Sequence, residues 1–399
     1  MQPRDELAQG RTLSDALFRL VRPEPLYERS IAERHRIVFY VGHVDAFDWN
    51  LLRGPLELPA FHETLDRLFA FGIDPTDGDV PRDLASDWPA RSEIDAYVAR
   101  ARATLDSALA ARAVDPTLIQ VAIEHRLMHA ETLAYLFGRL PLEALTSTTA
   151  PAVSDRPAPL PRPVRIPAGF ATLGARQGSG LFGWDNEFEA TQVDVPTFLI
   201  ASLPVTNGAW LAFVEAGGPP ASFWVRRGDR WRQRTVLAEV PLPLDWPVWV
   251  SHEAASAYAK WAGGVLPTEA QWHRAAYGAV DGERLHPWGD SAPAEAHGNF
   301  DFRRWEPTPV DGHPAGASAF GVQDLVGNGW EWTSTPFAPL PGFSPMPFYP
   351  GYSADFFDGN HFVMKGAGPR TAARLVRRSF RNWFQPRYPH VHAKFRLVR

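Results

Sequence analysis

Residues 124–133 read Glu-His-Arg-Leu-Met-His-Ala-Glu-Thr-Leu and place His125 and His129 four positions apart. On an α-helix this spacing puts both imidazoles on one face, one turn apart, where they can bind a single metal ion. Further residues of the same face follow at steps of three or four positions: Leu118, Ala122, Thr132 and Leu136. The stretch therefore predicts two histidines that point into a helical bundle, where the metal sites of such bundles are built.

The histidine pair has two interpretations. Buried histidines can be satisfied by hydrogen bonds at a domain interface, but a pair one turn apart on an apolar face favours metal binding. Glu131 lies about 200° around the helix from His129, so we expect it to pack across the bundle or to support a ligand. A third ligand has to come from another part of the bundle. Spacing alone leaves three candidates open, namely His35, His43 and His62.

The helices of the predicted bundle fall within the first 149 residues. Residues 92–112 are rich in Ala and contain no Gly or Pro, which favours a helix. Asp115 is a suitable N-cap before Pro116, and the helix that they open can run to Gly138. Two more helices are predicted, one over residues 31–52 and a shorter one within residues 6–21, while His62 is predicted to lie in a loop. Four helices with short connections predict a four-helix bundle.

The composition changes after residue 149. Residues 150–167 contain six prolines without periodicity, which predicts an extended linker. Beyond it, short apolar runs between Gly, Pro and Asn turns predict strands at residues 197–202 and 362–365. Short helices are predicted at residues 205–215, at residues 252–261 and after Pro267. We therefore expect an α+β protein with a bundle at 1–149, a linker at 150–167 and a second domain at 168–399.

Composition excludes several classes of function. The 399 residues are 45% hydrophobic and 21% charged, and the net charge of −5 gives no reason to expect a nucleic-acid partner. No apolar run is long enough for a membrane helix, and the N-terminus lacks the apolar region of a secretory signal, so we expect a cytoplasmic protein. Because the chain contains no cysteine, any metal must be bound by His, Asp or Glu.

Two motifs of the helical half resemble a known family. Gly42-His43 is followed roughly 80 residues later by His125-x3-His129-x-Glu131. Together they resemble the DinB-like N-terminal domain of the nonheme iron sulfoxide synthases of ergothioneine biosynthesis. The resemblance implies that His43 is the third ligand and that His43, His125 and His129 bind Fe(II).

Four motifs of the C-terminal half extend the resemblance over nearly the whole chain. They are Leu266-Pro-Thr-Glu-Ala-Gln-Trp272, His286-Pro-Trp-Gly-Asp290, Gly327-Asn-Gly-Trp-Glu-Trp332 and Phe380-Arg-Asn-Trp383. In this order they resemble the formylglycine-generating-enzyme fold, a variant of the C-type lectin fold. Formylglycine-generating enzymes proper use cysteine thiols, so the absence of cysteine excludes that activity here.

Three expectations concern the remaining features of the C-terminal half. Trp330, Glu331 and Trp332 are expected to form core of the domain rather than a site. Arg377, Arg378 and Arg381 form a basic run expected at a surface or between the domains. A structural Ca²⁺ bound by loop oxygens is also expected, without assigned ligands.

The resemblance implies a reaction and the residues that take part in it. The reaction is the O2-dependent coupling of a thiol or selenol to the imidazole carbon of a histidine betaine, hercynine. The stretch Tyr349-Pro-Gly-Tyr352-Ser353 matches the family's tyrosine motif. Tyr349 is then the implied proton donor and Tyr352 its neighbour on the substrate side, while Asn382 is the implied contact to hercynine. A phenol is protonated at neutral pH and can donate.

The donor is predicted from departures from the family's pattern. Enzymes that use gamma-glutamylcysteine have Asn-Trp-Asp where this chain has Asn382-Trp383-Phe384, and an arginine pair where it has Arg82 alone. We expect these four positions to contribute to substrate binding. Because the extra carboxylates of the dipeptide would lack partners, cysteine or a selenosugar is the expected donor. The second possibility would place the protein in a selenoneine synthase branch.

Two other classes of function remain as alternatives. DinB-like bundles also serve other metals and thiols, which suggests a thiol transferase. A lectin-like binding module with a structural metal is the alternative that involves no catalysis. Uptake of O2 separates both from an iron-dependent oxidoreductase.

Overall fold

The chain forms two compact units, Met1–Thr149 and Ala150–Arg399. The computed structural model describes residues 3–72 and 81–399. Helices make up the regular structure described in the first unit, whereas the second combines short strands with short helices. The fold class is therefore α+β.

The N-terminal unit is built around two central helices. Its helices are α1 (Pro3–Phe18), α2 (Ile37–Leu52), α3 (Glu63–Phe71), α4 (Arg91–Ala111) and α5 (Pro116–Phe137). α2 packs against α3, α4 and α5, and α1 packs against α5. Trp49 and Leu52 of α2 meet Leu105 of α4 and Ala122 of α5 in a buried apolar cluster. α5 begins as predicted, because the Thr117 N–H donates to the Asp115 carboxylate at 2.9 Å.

Sequence reasoning missed α3, so the prediction of four helices is wrong. His62 lies at the N-cap of α3 rather than within a loop, and its ring accepts a hydrogen bond from the Leu65 N–H at 3.3 Å. α3 has only nine residues, and it is stabilised by burying Leu65 and Phe69 rather than by its own propensity.

α2 starts six residues later than predicted, at Ile37 instead of Ile31. The Asp83 carboxylate accepts hydrogen bonds from Arg29, from Arg36 (2.7 Å) and from the Trp88 indole N–H (2.7 Å). These bonds tie the segment before α2 to the segment before α4. A distant carboxylate therefore holds residues 31–36 in turns, which local periodicity could not reveal.

The C-terminal unit contains several small sheets. Its elements are β1 (Pro163–Ile166), β2 (Gly169–Leu173), β3 (Thr191–Val195), β4 (Phe198–Ala201), α6 (Asn207–Glu215), β5 (Trp224–Arg227), β6 (Arg230–Arg234), β7 (Glu239–Pro241), α7 (His252–Trp261), α8 (Glu269–Tyr277), β8 (Gly329–Pro336), β9 (Phe362–Ala367), β10 (Asn382–Phe384) and β11 (Ala393–Lys394). The central sheet has the order β10-β9-β8-β11, with β9 antiparallel to both neighbours and β11 parallel to β8. This sheet carries Asn382, Trp383 and Phe384 on its edge strand.

The end of the predicted linker is part of the C-terminal unit. Residues 163–166 form β1, which pairs antiparallel with β4. Upstream, Arg156 donates to the Asp311 carboxylate at 2.7 and 2.9 Å. The boundary at residue 167 is therefore wrong, because the Pro-rich stretch pairs with strands and side chains far along the chain.

The Trp330, Glu331 and Trp332 side chains are core, as expected from the sequence. All three are at most 1% exposed. The Glu331 carboxylate accepts from the Arg396 guanidinium (2.6 and 2.7 Å) and from the Trp272 indole (2.8 Å). These charge-assisted bonds join β8 to α8 and to the C-terminal segment.

The surface expectation for the arginine run is wrong for Arg381. Its guanidinium is buried and donates to both carboxylate oxygens of Glu269 at 3.0 and 3.1 Å. Arg377 is similarly paired with the buried Glu187. Among the described residues, none of the helices is long and apolar enough to cross a membrane.

Candidate metal centre

Three histidine rings converge between α2 and α5. The Nε2 atom of His129 lies 3.1 Å from Nε2 of His43 and 3.1 Å from Nε2 of His125. One nitrogen from each ring can be chosen so that all three lie within 4.8 Å of one another. Among the described residues, 3–72 and 81–399, one group of three or more His, Asp or Glu side chains meets this distance criterion. It consists of these three histidines and contains no carboxylate.

The distances fit ligation of one ion. Two nitrogens that are each about 2.1 Å from a metal, at right angles to one another, are about 3.0 Å apart. The measured separations of 3.1 Å between Nε2 atoms are close to this value. Burial lowers the pKa of His43 to about 4 and the pKa values of His125 and His129 well below their usual range. The three rings are therefore neutral at pH 7, which is the state that binds metal.

The orientation of His43 is set by the end of α3. Its Nδ1 atom lies 2.6 Å from the Phe69 carbonyl oxygen, so Nδ1–H donates and the lone pair stays on Nε2. Phe69 is in the last turn of α3, where carbonyl groups have no donor within the helix. The bond fixes the tautomer that a ligand needs, in the manner of other outer partners of metal-bound histidines.

Gly42 allows this bond to form. A Cβ atom at this position would lie 2.5 Å from the Phe69 ring, well inside van der Waals contact. Because glycine has no Cβ, α3 can approach α2 closely enough for the Phe69 carbonyl to reach His43. The Gly42-His43 motif therefore has a steric explanation.

Aromatic rings pack against the three histidines. Phe47 stacks on His125 with ring centroids 3.4 Å apart, and Phe39 stacks on His43 at 4.6 Å. The Tyr40 ring lies 5.5 Å from that of His129. These contacts restrict rotation of the imidazoles and surround them with a medium of low polarity.

A buried ion pair connects the two ligand-bearing helices. The Arg126 guanidinium is 0% exposed and donates to the carboxylates of Asp45 (2.8 Å) and Asp48 (2.6 Å) on α2. Burial opposes ionisation of Asp45, but Arg126 and Arg102 outweigh it and hold its pKa at about 2. Burial raises the pKa of Asp48, and the neighbouring charge of Asp45 adds to this. The network fixes the register between His43 on α2 and the histidines on α5.

The other histidines considered from the sequence lie elsewhere. His62 caps α3, and the ring of His35 packs in a tilted arrangement against Phe39, with centroids 4.1 Å apart. Glu131 is buried and accepts a hydrogen bond from the Tyr135 hydroxyl at 2.8 Å. This bond runs along α5, and Glu131 does not belong to the group of three rings; its expected packing across the bundle or support of a ligand stays a prediction.

Residues of the C-terminal unit predicted to act on substrate form an aromatic cluster. Tyr352 stacks on Trp184 with centroids 4.1 Å apart, and its ring lies 5.6 Å from that of Tyr349 and 5.5 Å from that of Trp383. Asn382 precedes Trp383 on β10, and its side-chain oxygen accepts from the Trp383 N–H at 2.8 Å. The structure thus brings Trp184 together with Tyr352 and Trp383, which follow it by more than 150 positions in the sequence.

Phe384 makes a separate aromatic contact within the C-terminal unit, and Arg82 belongs to the N-terminal unit. The Phe384 ring stacks on Tyr388 at 5.0 Å. Arg82 is exposed and directly precedes Asp83, whose carboxylate pairs with Arg29 and Arg36.

Sequence reasoning did not find several residues that shape these sites. Phe69 was missed together with α3, although Leu65, Leu68 and Phe69 recur at helical spacing after the acidic Glu63. The sequence around Trp184 does not indicate that it belongs to the cluster, because its stacking partner Tyr352 lies more than 160 positions later. Only the tertiary structure identifies it.

Comparison with known proteins first identifies the class of domain to which the C-terminal unit belongs. Residues 149–399 match the family model described as the sulfatase-modifying factor enzyme 1-like domain. The formylglycine-generating enzyme of Streptomyces coelicolor is 30% identical over 241 residues, which cover 48% of this chain and 76% of that protein. The C-terminal unit is therefore a domain of this type.

Two further relatives match most of the chain. Hercynine oxygenase of Mycobacterium tuberculosis is 35% identical over 333 residues, which cover 78% of this chain and 78% of that protein. Ergothioneine biosynthesis protein 1 of Neurospora crassa is 27% identical over 500 residues, which cover 96% of this chain and 56% of that protein. The chain belongs to the ergothioneine sulfoxide synthase family.

Proposed function

We propose that this protein is an oxidoreductase that uses Fe(II) and O2 to couple a sulfur or selenium donor to the imidazole carbon of hercynine. The observation that carries the proposal is the convergence of His43, His125 and His129 in neutral form. The names of the relatives, hercynine oxygenase and ergothioneine biosynthesis protein 1, support hercynine as substrate.

His43, His125 and His129 would hold the ferrous ion, and the N-terminal unit would be a DinB-like bundle. Iron held by three imidazoles keeps coordination positions open and supplies the binding and activation of O2. The protein contributes fixed ligand orientation, through the Phe69 carbonyl and the stacked Phe39 and Phe47 rings.

Tyr349 is the proposed proton donor. Burial and the nearby Asp355 raise the pKa of its phenol above the ordinary value, so the hydroxyl keeps its proton at neutral pH. General acid catalysis requires such a protonated group. Tyr352, which stacks on Trp184, would contact the substrate beside it.

The aromatic cluster suits the chemistry of a histidine betaine. Faces of Trp and Tyr rings attract quaternary ammonium groups, and they also stack on imidazole. One face of Trp383 is covered by Phe337 at 4.2 Å and one face of Tyr352 by Trp184 at 4.1 Å, so the opposite faces are the proposed binding surfaces. The amide of the neighbouring Asn382 can hydrogen-bond a carboxylate or an imidazole nitrogen. We therefore assign hercynine binding to Tyr352, Asn382 and Trp383.

The proposed donor is cysteine or a selenosugar rather than gamma-glutamylcysteine. Phe384 stands in an aromatic stack with Tyr388, which offers no charge to the dipeptide's additional groups. Arg29 and Arg36 both donate to the carboxylate of Asp83, the residue after Arg82. Because these two guanidinium groups already have an acidic partner, they support the same view. Cytoplasmic location, bound Ca²⁺ and the choice between the two donors stay predictions.

Anaerobic iron binding and O2 consumption test the proposal. Protein purified without metal should bind about one Fe(II) per chain and should consume O2 only when hercynine and a thiol or selenol are both present. Coupled product is identified by mass spectrometry with a panel of cysteine, gamma-glutamylcysteine and a selenosugar. Absence of O2 uptake with every donor would refute the proposal and favour a binding module. Thiol transfer without O2 would favour a transferase.

A further inference from the structure

A short turn in the C-terminal unit contacts both segments that carry the proposed substrate residues. The 3₁₀ turn Asp185–Glu187 follows Trp184, which is fully buried. We call this turn together with Trp184 the 184–187 turn. The proposed substrate residues lie in two segments, 346–353 and 377–384. The 184–187 turn belongs to neither segment but forms hydrogen bonds with both.

The first contact anchors the segment that contains Tyr349 and Tyr352. Ser353 is 0% exposed, and its hydroxyl donates to the Asp185 carboxylate. The same hydroxyl oxygen accepts from the Asn186 amide at 2.9 Å. Ser353 thus uses both its donor and its acceptor capacity on one turn, while the preceding Tyr352 stacks on Trp184.

The second contact anchors the segment before β10. The buried Glu187 carboxylate accepts from Arg377 (2.5 and 2.8 Å) and from the Ser379 hydroxyl (2.7 Å). The Asn186 carbonyl accepts from Arg381 at 3.3 Å, directly before Asn382. Bonds to a buried carboxylate are among the stronger ones in proteins, so this side of the turn is rigidly held.

From these contacts we infer that Ser353 is a positioning residue, which fixes the Tyr349–Tyr352 segment relative to Asn382 and Trp383 through Asp185 and Asn186. The hydroxyl joins the loop with the tyrosines to a turn that is itself fixed to the Asn382 segment, and it acts beside the Tyr352–Trp184 stack and a backbone hydrogen bond between Met346 and Asp185. The effect of Ser353 on catalysis rests on the proposed function. The hydrogen bonds by which Ser353 holds the loop do not depend on it.

The loop has little other regular structure to hold it. The Tyr349 N–H donates to the Met346 carbonyl at 3.1 Å and the Tyr352 N–H to the Tyr349 carbonyl at 3.2 Å, as in consecutive turns. Such turns are local and open easily when the side chains that anchor them are removed. Loss of the Ser353 hydroxyl should therefore increase motion in this segment more than elsewhere.

Hydrogen–deuterium exchange of the full-length protein tests the link without substrate or metal. In Ser353→Ala we expect exchange at residues 346–353 to become at least about 10-fold faster. Ser202→Ala is the matched control, because Ser202 is also a buried serine of this unit, and its hydroxyl accepts from the Arg162 N–H at 3.0 Å. The control should leave exchange at 346–353 unchanged.

Turnover then tests the functional meaning. If the wild type forms coupled product, Ser353→Ala should lower kcat by about 10- to 100-fold, since a misplaced group of this kind has effects of that size. It should also raise the ratio of oxidised thiol to coupled product, with KM for the donor within about twofold. Ser353→Thr keeps the hydroxyl and should restore most of the product ratio.

The outcomes separate the two proposals. Wild-type protein without coupled product refutes the proposed function, while faster exchange in Ser353→Ala would still support the link. Unchanged exchange at 346–353 in Ser353→Ala refutes the inference, whatever the activity. If Ser353→Ala does not fold, Ser353→Cys replaces the hydroxyl by a thiol, which is a weaker donor and acceptor; wild-type exchange in that folded variant would also refute the inference.

Discussion

At the scale of single residues, three nitrogens form the candidate metal site. His43, His125 and His129 differ from other histidines of the unit in that their Nε2 atoms face one another. Such close packing of three nitrogens is favourable when a cation lies between them, because lone pairs otherwise repel. The pKa of each ring is lowered by burial, so protonation does not compete at neutral pH.

Removal of any one of these imidazoles should abolish stable iron binding. We expect His43→Ala, His125→Ala and His129→Ala each to lose the bound Fe(II) and coupled product while the helical circular dichroism signal remains. His62→Asn is the control, because it removes an imidazole of the same unit but keeps a residue that caps α3 well. Full iron content in His43→Ala would contradict the assignment.

Tyr349 and Tyr352 can be distinguished by removing one hydroxyl at a time. Tyr349→Phe should bind Fe(II) and both substrates nearly as the wild type does, because the phenol is proposed as a donor rather than a ligand. The rate of coupled product should fall by about 10²- to 10⁴-fold, and oxidised thiol should increase relative to it. The measurement is product analysis by mass spectrometry. An unchanged Tyr349→Phe beside an impaired Tyr352→Phe would transfer the role to Tyr352.

At the scale of secondary structure, the short α3 has an influence beyond its length. It contributes no ligand, but its last turn provides the carbonyl that orients His43. The contact between α2 and α3 depends on the missing Cβ of Gly42. A nine-residue helix thus determines which nitrogen of His43 is available.

Gly42→Ala should therefore weaken both packing and iron binding. A methyl group 2.5 Å from the Phe69 ring has to displace α3, which we expect to cost about 1–3 kcal/mol of unfolding free energy despite the higher helix propensity of Ala. Displacing the carbonyl should lower iron affinity by about 10- to 100-fold. Gly54→Ala is the control, because a Cβ atom added at Gly54 would meet no other atom within 4 Å among the described residues. Equal iron affinity in both variants would contradict this account.

The ion pair between α2 and α5 should matter more for stability than pairs on the surface. Arg126→Met leaves Asp48 buried without its hydrogen-bonded guanidinium and leaves Asp45 to pair with Arg102, which we expect to cost about 3–5 kcal/mol in urea unfolding at pH 7. Arg91→Met removes the exposed pair with Asp95 and should cost less than about 1 kcal/mol. Equal effects of the two substitutions would contradict this view.

The pH dependence of the pair follows from the lowered pKa of Asp45. Its carboxyl titrates at about 2 in the folded protein, below its ordinary value near 4. The contribution of Asp45 is therefore complete above about pH 4 and is lost as the pH falls towards 2, whereas the raised pKa of Asp48 means that its carboxyl takes up a proton before that of Asp45 does. The difference in unfolding free energy between wild type and Arg126→Met should narrow over this interval. A constant difference down to pH 2 would show that Asp45 does not contribute.

At the scale of the whole molecule, each unit supplies a different part of the proposed reaction. The proposed metal ligands lie in the helical unit, while the proposed substrate residues Tyr349, Tyr352, Asn382 and Trp383 lie in the C-terminal unit. Residues 149–399 share their domain type with the formylglycine-generating enzyme of Streptomyces coelicolor, but this chain contains no cysteine.

Donor preference is a property of the complete chain and can be measured directly. We expect kcat/KM for gamma-glutamylcysteine to be at least about 10-fold below that for cysteine or a selenosugar, because the glutamyl ammonium group lacks an acidic partner at Phe384 and the additional carboxylate lacks an arginine pair. Phe384→Asp, which introduces the acidic residue of enzymes that use the dipeptide, should shift preference towards it. A wild type that prefers the dipeptide would contradict the prediction.

Local sequence was sufficient for several parts of the structure. The start of α5 at Asp115 and Pro116 and the full extent of α7 were predicted correctly, because capping and helical periodicity depend on residues close in the chain. The same holds for the placement of His125 and His129 on one face of α5. The motifs around Trp272 and Trp330 indicated the fold of the C-terminal unit, which the match of residues 149–399 bears out.

Tertiary structure decided what depends on contacts between distant residues. Spacing left the third histidine open among His35, His43 and His62, and only packing of α2 on α5 brings His43 to His129, 86 positions away. The burial of Arg381 and the late start of α2 likewise depend on Glu269 and Asp83, which lie far away in sequence. Periodicity and capping act over a few residues, whereas these contacts arise when whole elements pack, so the sequence alone could not specify them.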